Sequence, residues 1–237
     1  MSQDTAQLGL HHNLIPFDDT YVLYNANDIF SFLSCYFTLL PIFIMVFYFS
    51  WFVITREVEA CYMAGGHVVN DIVNNIVKKF IKEPRPFNYF GDSFQQNTIR
   101  SGYGMPSAHS QFMGFFAMYV GLRLFTFWDT SLFNKIVGTI ALIAVSILVA
   151  WSRVYLGYHS FTQVGVGLSL GSALASFYFL VVIYVRRVGL SQWFLNWKIC
   201  QKLYMKDSAF YRPLSLKQEY DAWKTRTSNI NEEKKTK

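Results

Sequence analysis

The sequence predicts an all-α membrane protein, a polytopic helical bundle of about five transmembrane helices. Three observations carry that reading. Long uncharged runs recur along the chain, the composition is too apolar for an ordinary soluble domain, and the polar residues that interrupt the apolar runs fall at their ends. At 52% hydrophobic, 19% aromatic and 15% charged residues, the balance lies well away from a soluble average. A strongly apolar chain of this kind has no basic groove for nucleic acid, and no nucleic-acid partner is expected.

Element by element, the first span is Ile29–Thr55, 27 uncharged residues between Asp28 and Arg56, more than the roughly 20 needed to cross a hydrocarbon core. Further uncharged runs cover Ser101–Leu122, Ile136–Ser152 and Val154–Val185. A weaker candidate, Glu57–Val77, has helical length but carries His67, Asn70, Asp71, Asn74 and Asn75. Such residues are costly against lipid and are expected to face a bundle interior; a re-entrant or amphipathic piece is the alternative. The chain thus divides into an N-terminal segment 1–28, a membrane core 29–185 and a basic tail 186–237.

Charge sets the threading. From Arg186 onward the chain holds 12 of its 21 Lys and Arg, and the first 55 residues hold none. The positive-inside rule places the C-terminus in the cytosol and the N-terminus on the luminal side. Opposite sides require an odd number of spans, which favours counting Glu57–Val77 as the second of five. Loops 78–106 and 153–160 then share the luminal face. No cleavable signal peptide is evident, and Cys35, Cys61 and Cys200 form no CxxC pair or disulfide framework. In the last run Gly167, Gly171 and Ala175 make a small-xxx-small stripe suited to close helix packing. The tail stretch "WFLNWKICQKLYM" reads as an interfacial amphipathic helix or a docked extension of the bundle. Lys234 and Lys235 in "KKTK" resemble a cytosolic dilysine retrieval signal.

Three polar stretches share the luminal face. In "VKKFIKEPRPF", Asn74, Lys78 and Lys82 follow helical spacing, and Pro84 and Pro86 stop the helix. A basic cluster here is ordinarily a topology flank or a contact for anionic lipid, but it lies on the wrong side for a flank. In "PSAH", Ser107 has the chemistry of a helix N-cap, and a helix N-terminus is a ready anion site. His109 alone reads equally as a structural residue. In "SRVYLGYH", Arg153 could be a snorkelling anchor, with Tyr155 and Tyr158 an aromatic belt. Jointly, Lys78, Arg85, Arg153, Ser107, the amides near Ala108, and His109 and His159 offer fixed cations, helix-end donors and two imidazoles. That set suits binding of a phosphate and its transfer to a histidine. No HExxH or Cys₂His₂ spacing accompanies it, so a metal-independent reaction without cofactor is expected.

The pattern Lys78-x6-Arg85-Pro86, Pro106-Ser107-Ala108-His109, Ser152-Arg153-x5-His159 resembles the three linked motifs of the type 2 phosphatidic acid phosphatase superfamily. Nineteen residues separate the first two motifs and 42 the second and third. Within that superfamily "IPFDDTYVLYN", "IRSGYGMPSAHSQFMGF" and "SRVYLGYH" are similar to the fungal dolichyldiphosphatases, over roughly residues 14–220. The resemblance implies a multi-pass endoplasmic reticulum enzyme with a luminal site. Its substrate would be dolichyl diphosphate, and its product would recycle a lipid carrier for N-glycosylation. It also implies roles: His159 as nucleophile forming a phosphohistidine, His109 as acid and then base, and Arg153, Lys78, Arg85, Ser107 and Ala108 as holders of the phosphate oxygens. Two positions depart from the superfamily pattern. Ala108 replaces a glycine, and Gln163 stands where an acid would orient the nucleophile. Gln163 can fix a tautomer but brings no charge. Hydrolysis of another lipid phosphate, or non-catalytic binding of one, remain the competing readings.

Overall fold

The structure, a computed structural model, describes residues 22, 24–25, 27–86, 102–209 and 216–235. Most of the N-terminal stretch quoted above and the loop 87–101 lie outside the described residues. Five long helices form one bundle. α1 (Ile29–Thr55) starts where the Asp28 carboxylate accepts from the Phe30 N–H at 3.0 Å. It ends at Arg56 in the left-handed region, and α2 (Val58–Ile81) follows at once. The expected weak span is thus a continuous 24-residue helix. Across the 82–107 connection come α3 (Ala108–Thr126), α4 (Leu132–Tyr155) and α5 (Phe161–Arg187). α4 starts under a Ser131 cap, and α5 starts under a Ser160–Gln163 capping box.

Three of the five, α1, α4 and α5, are long and apolar enough to cross a membrane. At 27 residues, α1 extends about 40 Å. α2 and α3 are more polar, and α3 is the hub of the bundle, touching all four of the others. Outward-facing Phe30, Phe43, Phe47 and Ile54 on α1 and Ile140 and Ile147 on α4 leave an apolar exterior, the arrangement a bilayer requires.

Helical periodicity sorts the polar residues of α2. His67, Asn70 and Asn74 lie along one stripe and are all buried. Asp71 and Asn75, about 100° further round, face outward and bond to each other at 3.1 Å. The expectation that all five face the interior therefore fails for these two. The two buried amides share one partner, Gln111 of α3, and Asn74 also donates to the Pro106 carbonyl at 3.3 Å. The Gln111 Nε2 donates to the Asn70 carbonyl and side-chain oxygens, both at 2.9 Å, and its Oε1 accepts from Asn74 at 2.7 Å. His67 stacks on Phe112 with centroids 3.7 Å apart and is within 3.3 Å of the Tyr48 hydroxyl. Buried amides paired across helices cost little and fix register.

α3 and α5 meet backbone to backbone. A Cβ placed on Gly171 would sit 2.0 Å from the Gln111 carbonyl oxygen, and one on Gly167 would sit 2.7 Å from that of Ser107. The small-residue stripe is thus a helix contact, as the spacing predicts.

At the end of the bundle away from Arg153, the chain beyond α5 folds back. Short helices α6 (Leu190–Leu195) and α7 (Lys198–Lys202) lead to a return segment. There Val58 N–H donates to the Lys206 carbonyl at 2.9 Å, and Lys206 N–H donates to that of Arg56 at 3.0 Å. Arg186 donates from both Nε and Nη2 to Asp207, at 2.8 and 3.0 Å, and also to Glu59. Glu59, only 1% exposed, pairs in addition with Arg123 at 2.5 Å and accepts from the Tyr119 hydroxyl at 3.0 Å. Of the two expectations for this stretch the docked extension is the one observed, as two short helices and not one amphipathic helix. It docks onto the bundle through ions, while Trp193 and Trp197 remain exposed. A last helix, α8, spans Leu216–Lys235.

Candidate active site

Helix ends and two turns bring the polar motifs together. α2 delivers Lys78 in its last turn, and the chain leaves it through Lys82 in the left-handed region toward Arg85. α4 delivers Arg153 in its last turn, a short turn holds His159, and α5 begins two residues later with Gln163 at its third position. α3 begins at Ala108 opposite them.

Arg153 is 3% exposed. Its guanidinium lies 4.1 Å over the Tyr158 ring, and its Nη1 is 3.5 Å from the Thr38 hydroxyl of α1. The Arg153 carbonyl accepts from the backbone N–H groups of both Tyr158 and His159, which folds the turn back over the helix end. Arg85 reaches the same turn, donating from Nη1 to the Tyr158 carbonyl at 3.3 Å. Arg153 is therefore a buried component of the site and not a snorkelling anchor. Tyr158, 9% exposed, is its platform and not a belt residue. Tyr155 donates to Asp28 at 2.6 Å, tying the end of α4 to the start of α1.

His159 is 4% exposed. Burial pushes its imidazole well below the usual range, and Arg153, Arg85 and Lys78 push the same way, against a hydrogen bond to Gln163. Arg153 and Arg85 thus converge on the turn that carries His159. That convergence is the central feature of the site.

Gln163 decides which nitrogen of His159 is available. Its Nε2 lies 2.8 Å from the Pro84 carbonyl and 2.9 Å from Glu83 Oε1. Its Oε1 lies 3.3 Å from the Ser160 N–H and 3.1 Å from His159 Nδ1. A backbone carbonyl only accepts and a backbone N–H only donates, so the amide orientation is fixed. Nδ1 must then carry the proton, leaving the Nε2 lone pair of His159 for bond formation.

Ser107 occupies the N-cap position of α3, but its hydroxyl makes no capping bond. It accepts instead from Ser110 at 3.2 Å, while its own backbone N–H donates to the Gln163 carbonyl at 3.1 Å. The cap expected from sequence is thus a cap in position alone. Ala108 and His109 stand half-buried in the first turn of α3. Lys78 is half-buried, whereas Lys79 and Lys82 are exposed.

Sequence reasoning missed Glu83, Thr38 and the Asn70–Gln111–Asn74 cluster. A single carboxylate between Lys82 and Pro84 gives no signal before the fold places it against Gln163. The Gly104 N–H donates to the Glu83 carbonyl at 2.7 Å. A Cβ there would lie 2.6 Å from Gln163 Nε2. Because four hydrogen bonds pin that amide, Gly104→Ala is expected to leave the fold intact yet displace Gln163. Turnover should fall about tenfold or more, since small misplacements at a reacting centre are costly. Steady-state kinetics beside a melting curve checks both halves.

An all-helical membrane bundle that gathers cations, helix-end amides and a neutral histidine defines a lipid-phosphate-handling protein of the phosphohistidine type. Residues 59–187 match the PAP2 superfamily, and the chain belongs to it. It is 50% identical over 226 residues to the dolichyldiphosphatase of Saccharomyces cerevisiae, covering 94% of each chain. It is 36% identical over 170 residues to dolichyldiphosphatase 1 of Homo sapiens, covering 68% of each. Among solved structures, a transmembrane PAP2-type phosphatidylglycerolphosphate phosphatase from Bacillus subtilis superposes with a TM-score of 0.53. That match has 20% identity and covers 70% of this chain and 82% of the other, a likeness of fold.

Proposed function

We propose that the chain is a dolichyl diphosphate phosphohydrolase of the endoplasmic reticulum membrane, working on the luminal side through a phosphohistidine. The observation that carries the chemistry is that Arg153 and Arg85 bond to the turn holding His159, whose Nδ1 proton is fixed by Gln163. The relatives named dolichyldiphosphatase carry the choice of substrate.

In this reading Lys78, Arg85, Arg153, Ser107 and the amides near Ala108 hold the non-bridging oxygens of the terminal phosphate. His159 Nε2 attacks the terminal phosphorus and the bond to the bridging oxygen breaks. His109 gives a proton to the leaving dolichyl phosphate. His109 then takes a proton from water, whose oxygen attacks phosphorus as the P–N bond breaks. Inorganic phosphate leaves and His159 is neutral again. The basic residues of 186–237 support a cytosolic tail, and with it a luminal side for the Arg153 end of the bundle.

The test is purified protein in lipid vesicles, presented with dolichyl diphosphate, phosphatidate and sphingoid-base phosphate in the presence of EDTA. Release of one phosphate from dolichyl diphosphate in preference to the others, undiminished by EDTA, is expected. Preference for another lipid phosphate would overturn the substrate, and dependence on a divalent ion would overturn the mechanism.

A further inference from the structure

Gln163 leaves the nucleophile without the direct carboxylate partner that an acid at that position would provide. The fold brings one to the far side of the same amide. Glu83 Oε1 accepts from Gln163 Nε2 at 2.9 Å, and Gln163 Oε1 accepts from His159 Nδ1 at 3.1 Å. The three side chains form a line: carboxylate, amide, imidazole. We infer that Glu83 is a positioning residue for the phosphoryl-transfer reaction, its charge acting on His159 through the Gln163 amide.

Three features of the arrangement argue that it is built. Gln163 is 1% exposed and each of its polar atoms has two partners, so it cannot rotate away from either neighbour. The Glu83 main chain is clamped by the Gly104 N–H at 2.7 Å, which holds its loop against the start of α5. Gly104 itself has no side chain where one would strike the Gln163 amide. Physically, a carboxylate accepting from Nε2–H draws electron density toward the amide oxygen and makes it a stronger acceptor for Nδ1–H. As Nε2 of His159 bonds to phosphorus, positive charge develops on the ring, and Nδ1–H becomes a stronger donor at that moment. The charge of Glu83 therefore favours the transition state more than the resting imidazole. It also offsets the cations facing His159, which are Lys78 from α2, Arg85 from the loop after it and Arg153 from α4.

This inference rests on the phosphohistidine reading above. Its test is Glu83→Gln, with Glu83→Ala as a second variant, in purified protein. Glutamine keeps an acceptor oxygen for Gln163 and removes only the charge. A purely architectural Glu83 predicts unchanged kcat for Glu83→Gln. The charge role predicts kcat about tenfold to hundredfold lower with KM unchanged, the scale seen for outer-shell partners that orient metal-ligating histidines. It also predicts that His159 titrates at lower pH, because a neighbouring negative charge that favoured imidazolium is gone. ¹⁵N NMR of histidine-labelled protein, with His159→Asn for assignment, reads that titration without any turnover. Melting curves confirm that each variant is folded. Either variant retaining kcat within twofold of the parent, or an unmoved His159 titration, overturns the inference. If the parent chain releases no phosphate from dolichyl diphosphate, the proposed function fails, and the NMR titration still decides whether Glu83 acts on His159.

Discussion

His159→Asn is expected to lower phosphate release by about 10⁴-fold or more, the loss typical of removing a covalent nucleophile. Asparagine is polar and smaller, and it has no lone pair able to form a stable bond to phosphorus. The buried turn that holds position 159 is fixed by the Arg153 carbonyl and the Ser160–Gln163 box, neither of which uses the imidazole. The fold should therefore survive, and binding of the lipid phosphate to Arg153, Arg85 and Lys78 should remain. The direct measurement uses substrate labelled on its terminal phosphate, quenched after one turnover. The parent chain should carry an acid-labile, base-stable label on His159 and the variant none. Because His159 is neutral well below pH 7, the parent should keep its nucleophile deprotonated into mildly acidic solution. Any acid limb of kcat/KM near neutrality then belongs to another group. Labelled protein in the His159→Asn variant would overturn the assignment.

Glu59→Ala should damage the opposite end of the molecule and cost about 3–5 kcal/mol, the range for removing one partner from a buried ion pair. Glu59 is 1% exposed and neutralises Arg123 and Arg186, whose side chains are 13% and 1% exposed. Without it two guanidiniums lose the carboxylate they share, and Arg186 keeps only its pair with Asp207. The Tyr119 hydroxyl also loses its acceptor. α2, α3, α5 and the return segment all meet there, so the loss should loosen the docking of residues 190–209. A fall in melting temperature on the order of 10 °C is expected for a chain of this size. A double-mutant cycle with Arg186→Ala should show strong coupling. A Glu59→Ala variant that melts like the parent would show that the cluster is solvated and contributes little.

These two predictions draw on different kinds of information. The candidate residues of the site were legible from the sequence because they are of types that are rare in apolar runs. Lys78, Arg85, Ser107, His109, Arg153 and His159 stand out at membrane boundaries where polar atoms are costly, and their spacing links them. The order of the long helices was legible for the same reason, since an uncharged run of membrane length has few other uses, although only three of them are long and apolar enough to cross a membrane. Even α2, despite its amides, followed from a parity argument on charge.

Partners of buried groups were not legible. Helical spacing puts Asn70, Asn74 and Lys78 on one face, but it does not reveal that Gln111 from another helix bonds to both asparagines. Nor does it separate Asp71 and Asn75, which face out, from their buried neighbours. The Glu59–Arg123–Arg186–Asp207 cluster draws its members from sequence positions up to 148 residues apart, and no local pattern announces such a meeting. Glu83 is the sharpest case. In sequence it is one acid among 15, and in the fold it is the carboxylate behind Gln163. What the sequence by itself determined is the set of helices and the cations and histidines a phosphate would meet. What tertiary structure alone decided is which of them are held, by what, and with which proton. Hydrogen bonds and ion pairs act over about 3 Å, and only packing brings distant residues within that reach.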